Sequence, residues 1–501
     1  MRGIPSIVTD IRKRVFTEVA RLAYEGGDYT RMEQLPYAIC PGEVAANRES
    51  IFLERAIAGE RIRLAMGLPL RPVNAHSNLS DGVEDSATAE SYYEPPLINI
   101  IQYACNSCPT KRYHVTELCQ GCLARSCEQV CPKNAIKITQ GRSVINQDLC
   151  IKCGKCETAC PYHAITKIDR PCVEACGMDA IESDEYGRAQ INQDKCVSCG
   201  MCLVDCPFGA IVDKGQIFQI IQSIKKGDKV IAIVAPAFVG QFGPHSTPEK
   251  ITTAMKELGF HHVTEVAIGA DLCTIEEAHD FLAKVPAEQP FMATSCCPAW
   301  YSMAVKLYPE NAHCISMALT PMVLTARMEK KKHPGSKIVF VGPCAAKKLE
   351  AIRENIRSDV DFVVTFEELQ GMFEAKDIHF ETLEDGEDLT EGTGAGRGFA
   401  VSGGVANAVK EVINRLEPET EVKIASAEGL RDCRKLLAMA KRGKYNGYLL
   451  EGMACPGGCV GGAGTIRPID KATNLVGRYK KEAPVQNALD TKYEAVLPTL
   501  D

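Results

Sequence analysis

Apolar residues recur at three- and four-residue steps among Arg and Glu in two early segments, Ile11 to Tyr24 and Ile51 to Met66, and that period predicts two amphipathic helices. Residues 1–100 therefore read as a helical N-terminal extension. It closes in a polar stretch, Asn74 to Glu94, whose Ser, Asn, Asp and Pro content predicts a linker. Nothing in the extension suggests chemistry, and a packing role is expected of it. From Ile217 onward apolar runs alternate with helical stretches, an α/β pattern. Asp228 to Ala235 ends at Pro236, and Pro290 to Ala293 ends at Thr294-Ser295-Cys296-Cys297. Lys337 to Val341 ends at Gly342-Pro343-Cys344, and Tyr448 to Met453 ends at Ala454-Cys455. Three strands thus deliver cysteine just past their C-terminal ends, the edge where open α/β sheets bind ligands. After Arg467 comes a short tail in which no element is legible.

Composition narrows the classes. A chain of 501 residues exceeds one core and predicts about two to four domains. Charged residues at 24% and hydrophobic residues at 45% are ordinary for a globular protein. The net charge of -7 argues against nucleic-acid binding, which wants a basic surplus. No apolar run reaches the roughly 18 residues of a membrane span, and Met1 to Asp10 lacks the apolar core of a secretory signal. A cytoplasmic location is expected. The 25 cysteines are the anomaly. Disulfide scaffolds belong to small secreted domains, whereas thiols at this density in a reducing compartment hold metal.

Sixteen of those cysteines lie between Cys105 and Cys206, inside an internal repeat. Gly141-Arg142 leads through Ile145-Asn146-Gln147-Asp148 to Cys150, and Gly187-Arg188 leads through Ile191-Asn192-Gln193-Asp194 to Cys196. The run Cys150, Cys153, Cys156, Cys160-Pro161 has the spacing of bacterial ferredoxins, and Cys196, Cys199, Cys202, Cys206-Pro207 repeats it. Cys119, Cys122, Cys127 and Cys131-Pro132 form the same motif with a longer middle gap. Three cysteines on one tight loop reach three corners of a cubane, and the fourth corner is filled from the partner motif. Structural zinc also uses Cys-x2-Cys pairs, but the four-cysteine run ending in Pro, repeated, favours 4Fe–4S clusters. Cys119, Cys122 and Cys127 then share a cluster with Cys160, and Cys150, Cys153 and Cys156 share one with Cys131. Cys172 and Cys176 align with the third and fourth cysteines of a motif whose first two are missing, while Cys105 and Cys108 form an orphan pair upstream. Partner exchange would give Cys176 to Cys196, Cys199 and Cys202, leaving Cys206 to join Cys105, Cys108 and Cys172. The alternative is a decayed motif and three ferredoxin-type clusters. Residues 101–215 are therefore expected to form an α+β ferredoxin-like multi-cluster domain. Lys111 and Arg112 beside the orphan pair would suit an acidic ferredoxin.

Cys297, Cys344, Cys455 and Cys459 are spread over about 160 residues, which describes a pocket between lobes. Thr294-Ser295-Cys296-Cys297-Pro298-Ala299-Trp300, Pro343-Cys344-Ala345-Ala346-Lys347-Lys348-Leu349-Glu350 and Glu451-Gly452-Met453-Ala454-Cys455-Pro456-Gly457-Gly458-Cys459 resemble the three ordered signatures of the iron-only (FeFe) hydrogenase family. The resemblance covers roughly residues 100 to 470. It implies a two-lobed α/β catalytic domain over 226–470, followed by the tail 471–501. It also implies a cubane joined through one cysteine sulfur to a di-iron subcluster with CO, CN and dithiolate ligands. Carried over by position, Cys297, Cys344, Cys455 and Cys459 ligate the cubane and Cys459 bridges to the di-iron unit. Lys347 would hydrogen-bond one cyanide, and the backbone at Ala235-Pro236-Ala237 would serve the other. Cys296 would pass protons to the dithiolate amine, through a relay that aligns with Glu277, Ser316 and Asp280. Two positions depart from the family: Gly342 stands where Met is common, removing bulk beside the pocket, and the third signature ends Gly461-Gly462-Ala463-Gly464-Thr465.

The activity so implied is reversible hydrogen oxidation and proton reduction in an anaerobic cell, with electrons passed to ferredoxin or a similar small carrier. Hydrogenase maturation factors would be further partners. A hydrogen sensor using the same cluster is the alternative. Eukaryotic assembly factors that keep only the cubane ligands are a third possibility, against which Cys296 speaks. Gly394-Ala395-Gly396-Arg397-Gly398 hints at nucleotide binding but lacks a preceding strand and full motif. Cys40, Cys273, Cys314 and Cys433 are isolated and read as small buried hydrophobes.

Overall fold

Ser6 caps the first helix, Ile7–Glu25: its hydroxyl accepts from the Thr9 amide while its own amide donates to the Thr9 hydroxyl. The second expected helix runs Ile51–Ala65 behind Ser50, whose hydroxyl accepts from Leu53 N–H. The computed structural model describes residues 3–88, 94–353, 356 and 359–500. The first helix lays Phe16, Val19 and Ala23 into one core with Ile217, Val364 and Leu369 of the downstream α/β region. The stretch expected as a linker is packed down as far as Ala87; its residues 89–93 lie outside the described residues. Buried Arg63 organises it by donating to the Leu79 and Asp81 carbonyls, and the Ser86 hydroxyl donates to Met66 O.

The cysteine-rich region contains two similar units, one inserted into the other. In the inner unit the outer strands Arg112–Val115 and Ile165–Ile168 pair antiparallel around a hairpin of Ile136–Thr139 and Arg142–Ile145. In the outer unit Ile98–Ile100 pairs antiparallel with Ile211–Asp213 around a hairpin of Ile181–Ser183 and Ala189–Ile191. The outer unit's first strand and its Cys105–Cys108 pair thus precede the inner unit, and its remainder follows. The orphan pair is a motif split by insertion.

Two parallel sheets build the α/β region. Strand Val230–Val234 lies between His262–Glu265 and Lys337–Gly342, with Phe362–Thr365 beyond. The smaller sheet has Tyr448–Met453 at its centre, between Met292–Ala293 and Lys423–Glu428. The four expected strands exist, with the 290–293 run shortened to two residues. The unread tail holds a helix, Ile469–Lys481, which runs across the expected boundary at 470. Its buried stripe is only Ala472, Val476 and Tyr479, and Arg397 fixes it by lying 3.7 Å over the Tyr479 ring and donating to Tyr479 O. Among the described residues no helix is long and apolar enough to cross a membrane.

Candidate active site and cluster cavities

The loops that carry Cys297, Cys344 and Cys455 leave their strands at the C-terminal edge, so the two sheets face each other across one cavity. Cys344 comes from the larger sheet, and Cys297, Cys455 and Cys459 from loops of the smaller one. All four line the cavity with Cys296, Lys347 and the Ala235-Pro236-Ala237 turn. The signatures also lock onto one another. A side chain at Gly452 would run into the ring of Trp300, so glycine in the third signature seats the tryptophan of the first. Trp300 Nε1–H in turn donates to Thr294 O at 3.0 Å.

Polar groups around the cavity are few and held. Lys347 Nζ donates to Glu350 Oε2 at 2.6 Å and to Thr320 Oγ1 at 3.2 Å; burial opposes its charge and Glu350 outweighs that, keeping the ammonium charged. Burial, with Glu277 as the next contributor, pushes the Cys296 thiol far up, so it carries its proton. Glu277 is fully buried on the helix Ala267–Lys284. Its Oε1 accepts from Ser295 N–H at 3.0 Å and its Oε2 has no hydrogen-bond partner. Burial raises Glu277 to about 8, against the opposing pull of the Ser295 and Ser316 groups. Ser316 is buried beside it, its amide tied to Ala293 O. Asp280 sits three residues on, half-buried, and pairs with Lys284 at 3.0 Å. The glycine loop 392–396 spends its donors internally: Gly392 N–H meets Glu265, and Thr393 N–H meets Asp271 at 2.9 Å. It has no phosphate cradle to offer.

Gly342 does not leave the vacancy expected of it. A Cβ there would lie 2.5 Å from the Phe340 ring, which points the same way from the same strand and lines the cavity. The bulk is supplied by Phe340.

Two further sets of four cysteines line small cavities of their own. One is lined by Cys131, Cys150, Cys153 and Cys156. The other is lined by Cys105, Cys108, Cys172 and Cys206. Cys119 and Cys127 meet at Ser143, and Cys127 and Cys160 share one apolar cluster. Cys199, Cys196 and Cys176, and after them Cys172, are the charged neighbours that Cys202 feels. Matching hydrogen bonds mark the repeat: Ser143 N–H donates to Cys119 Sγ and Ala189 N–H to Cys105 Sγ, both at 3.4 Å. Cys105 therefore occupies in the outer unit the place of Cys119 in the inner one. Three of the units share a further bond, from the buried Ala135, Ala164 and Ala180 N–H to Cys131, Cys160 and Cys176 Sγ.

These thiols suit clusters better than single ions. Among the described residues no three His, Cys, Asp or Glu side chains converge as ligands of one ion, which zinc would require at about 2.3 Å from each sulfur. They ring volumes instead, and the cavity between the two sheets is the largest of these three cysteine-lined ones.

Residues 228–463 match the model of the iron only hydrogenase large subunit, C-terminal domain. Residues 143–166 match a 4Fe-4S binding domain and residues 166–217 an LdpA Fe-S cluster-binding domain. Iron hydrogenase 1 of Clostridium pasteurianum is 30% identical over 424 residues, 74% of this chain and 73% of that protein. The chain belongs to the iron-only hydrogenase family. This hydrogenase-like chain is also 30% identical to a probable cytosolic Fe-S cluster assembly factor of Aedes aegypti, over 45% of this chain and 58% of that one. A solved apo [FeFe]-hydrogenase HydA1 variant from Chlamydomonas reinhardtii aligns with a TM-score of 0.46 at 24% identity, over 54% of this chain and 89% of that chain.

Proposed function

We propose that this chain interconverts protons, electrons and molecular hydrogen. The observation that carries the reading is Cys296, a fifth cysteine on the cavity lined by Cys297, Cys344, Cys455 and Cys459, with the buried acid Glu277 behind it. An assembly factor that only holds a cubane has no use for a further thiol on the cavity wall backed by a buried acid. The group bound there, a cubane with a di-iron subcluster carrying CO, CN and dithiolate ligands, would supply the hydrogen chemistry itself. Cys297, Cys344, Cys455 and Cys459 would hold it. Lys347, fixed by Glu350, would present its ammonium to one cyanide, and the 235–237 backbone would face the other.

Cys296 holds a proton at its thiol and Glu277 at its carboxyl, so once the thiol has given its proton into the cavity the carboxyl can replace it, and the resulting carboxylate is reprotonated from the solvent side. Ser316 continues the relay, and Asp280, paired with Lys284, offers an exit toward solvent. Electrons would arrive through the cubanes of the inner and outer units. Cys176, Cys196 and Cys199 pack in the same core as Cys297 and Cys344, which makes theirs the last cluster before the active site. Exposed Lys111 and Arg112 favour an acidic carrier such as ferredoxin, in the cytoplasm of an anaerobe, with maturation factors installing the di-iron unit. The test is hydrogen evolution from a strongly reducing dye by protein whose infrared spectrum shows bound CO and CN. Fully loaded protein that evolves and consumes no hydrogen overturns the proposal.

A further inference from the structure

We propose that Arg61 and Arg170 form a cationic collar on the site of Cys105, Cys108, Cys172 and Cys206 and raise the reduction potential of the cluster there. The inference rests on that site holding a 4Fe–4S cluster, and it gives the N-terminal extension a redox role. Arg170 is 3% exposed and lines the cysteine cavity. Its Nη2 donates to Cys108 O at 2.9 Å and to Gly187 O at 2.7 Å, and its Nε to Cys108 O at 3.1 Å. Arg61 is 5% exposed and comes from the helix Ile51–Ala65 of the extension. Its Nη2 donates to Gly209 O at 2.8 Å, three residues past Cys206, and its Nε is buried without a partner.

Neither guanidinium pairs with a carboxylate among the described residues. Other buried arginines do: Arg12 meets Glu367 at 2.7 Å and Arg397 meets Glu265 at 3.2 Å. A buried cation without an anion is costly, and carbonyl oxygens satisfy its hydrogens without neutralising its charge. The negative groups that favour charge on Arg61 are sulfurs, those of Cys40 and Cys206, working against burial and against Arg12 and Arg48. Burial leaves Arg61 at about 10, still charged at neutral pH. A cubane held by four thiolates carries net negative charge, and one further electron makes it more negative. A fixed cation at its edge stabilises the reduced form. One electron enters from the neighbouring cluster, ultimately from the external carrier, and both guanidinium charges stay as they are in that step.

The test is an EPR-monitored redox titration of the full, cluster-loaded chain. The relevant signal is the one lost in Cys105→Ala/Cys108→Ala. Arg61→Gln keeps a donor for Gly209 O and removes the charge; Arg61→Lys keeps the charge. At a fixed potential, Arg61→Gln should lower the reduced-to-oxidised ratio of that signal about tenfold, equivalent to about 59 mV for one electron. Arg61→Lys should restore most of it, and Arg170→Gln should shift the same signal in the same direction. Equal midpoints in the Gln and Lys variants, or an unshifted signal in both Gln variants at full iron content, overturn the collar and leave the cluster assignment standing. Absence of any signal dependent on Cys105 and Cys108 overturns both.

Discussion

The protonated thiol of Cys296 can give up its proton and be resupplied from the raised carboxyl of Glu277, a step that a far less acidic hydroxyl makes poorly. General acid–base steps contribute about 10²- to 10⁴-fold, so Cys296→Ser should lose turnover by at least about two orders of magnitude in both directions. Its CO and CN infrared bands should persist; a fully loaded variant with normal turnover removes Cys296 from the relay. The cysteines and this neighbour were legible because cysteine spacing has a strict geometric cause. Arg61 and Arg170 were not, since a guanidinium meets its site through a carbonyl far away in sequence. Asp271 was missed for a similar reason. Burial, with Glu265 adding to it, raises this acid from 3.8 to about 7, although Thr393 and Gly396 pull the other way. A raised carboxyl favours the folded state below its unfolded pKa, and that contribution is lost as pH rises from about 4 through about 7. At about 1.4 kcal/mol per unit the slope amounts to a few kcal/mol. Asp271→Asn keeps an acceptor for Thr393 N–H, and denaturant midpoints across neutral pH should flatten in it. An unchanged slope assigns that dependence to other groups.

At the scale of elements, the Lys337–Gly342 strand shows how far a linear pattern reaches. Its apolar run and its cysteine-bearing exit were both readable, and the strand lies where expected. The consequence of Gly342 was not readable, because glycine's neighbour on the pleat is Phe340 and the ring's direction depends on the sheet above it. The missing bulk is restored two residues earlier. Gly342→Met would therefore have to displace an aromatic ring in a packed layer, and overpacking of that kind costs about 1–3 kcal/mol. The expected result is lower stability in denaturant titration. Phe340→Ala should instead open the cavity and speed inhibition by carbon monoxide. Identical inhibition kinetics in wild type and Phe340→Ala would mean that the ring guards no route. The tail helix Ile469–Lys481 escaped for an energetic reason: its apolar stripe is three residues wide, and Arg397 stacked on Tyr479 holds it down.

For the whole molecule, the insertion of one cysteine unit into another explains why the composite cluster was readable only as an arithmetic of leftovers. Cysteine spacing survives within each half of the split motif and is lost across it. If all four ferredoxin-type clusters and the catalytic one are present, the chain carries about 22 irons, at four per cubane plus two. Cys105→Ala/Cys108→Ala should lose about four of them and spare the CO and CN bands. Wild-type iron content in that variant sinks the assignment. Beside the apolar cores they share, these parts are joined by an ionic network that left no sequence pattern. Lys348 is fully buried and donates to Asp213 at 2.7 Å, at the end of the cysteine-rich region, and to Glu368 at 3.0 Å in the α/β region. Arg12 of the first helix reaches Asp213 at 3.3 Å and Glu367 at 2.7 Å, so three regions meet in one network. Burial would raise Asp213, but Lys348 and Arg12 hold it down at about 2, while burial keeps Glu368 above its ordinary value. Removing the shared cation leaves two acids facing each other out of water. Lys348→Met should therefore cost about 3–5 kcal/mol. Because the loss falls on the joint, the visible absorbance of the clusters and the far-UV signal of the α/β region should melt apart in the variant and together in the wild type. Coincident transitions in both proteins, at equal midpoint, would show that apolar packing alone unites the regions.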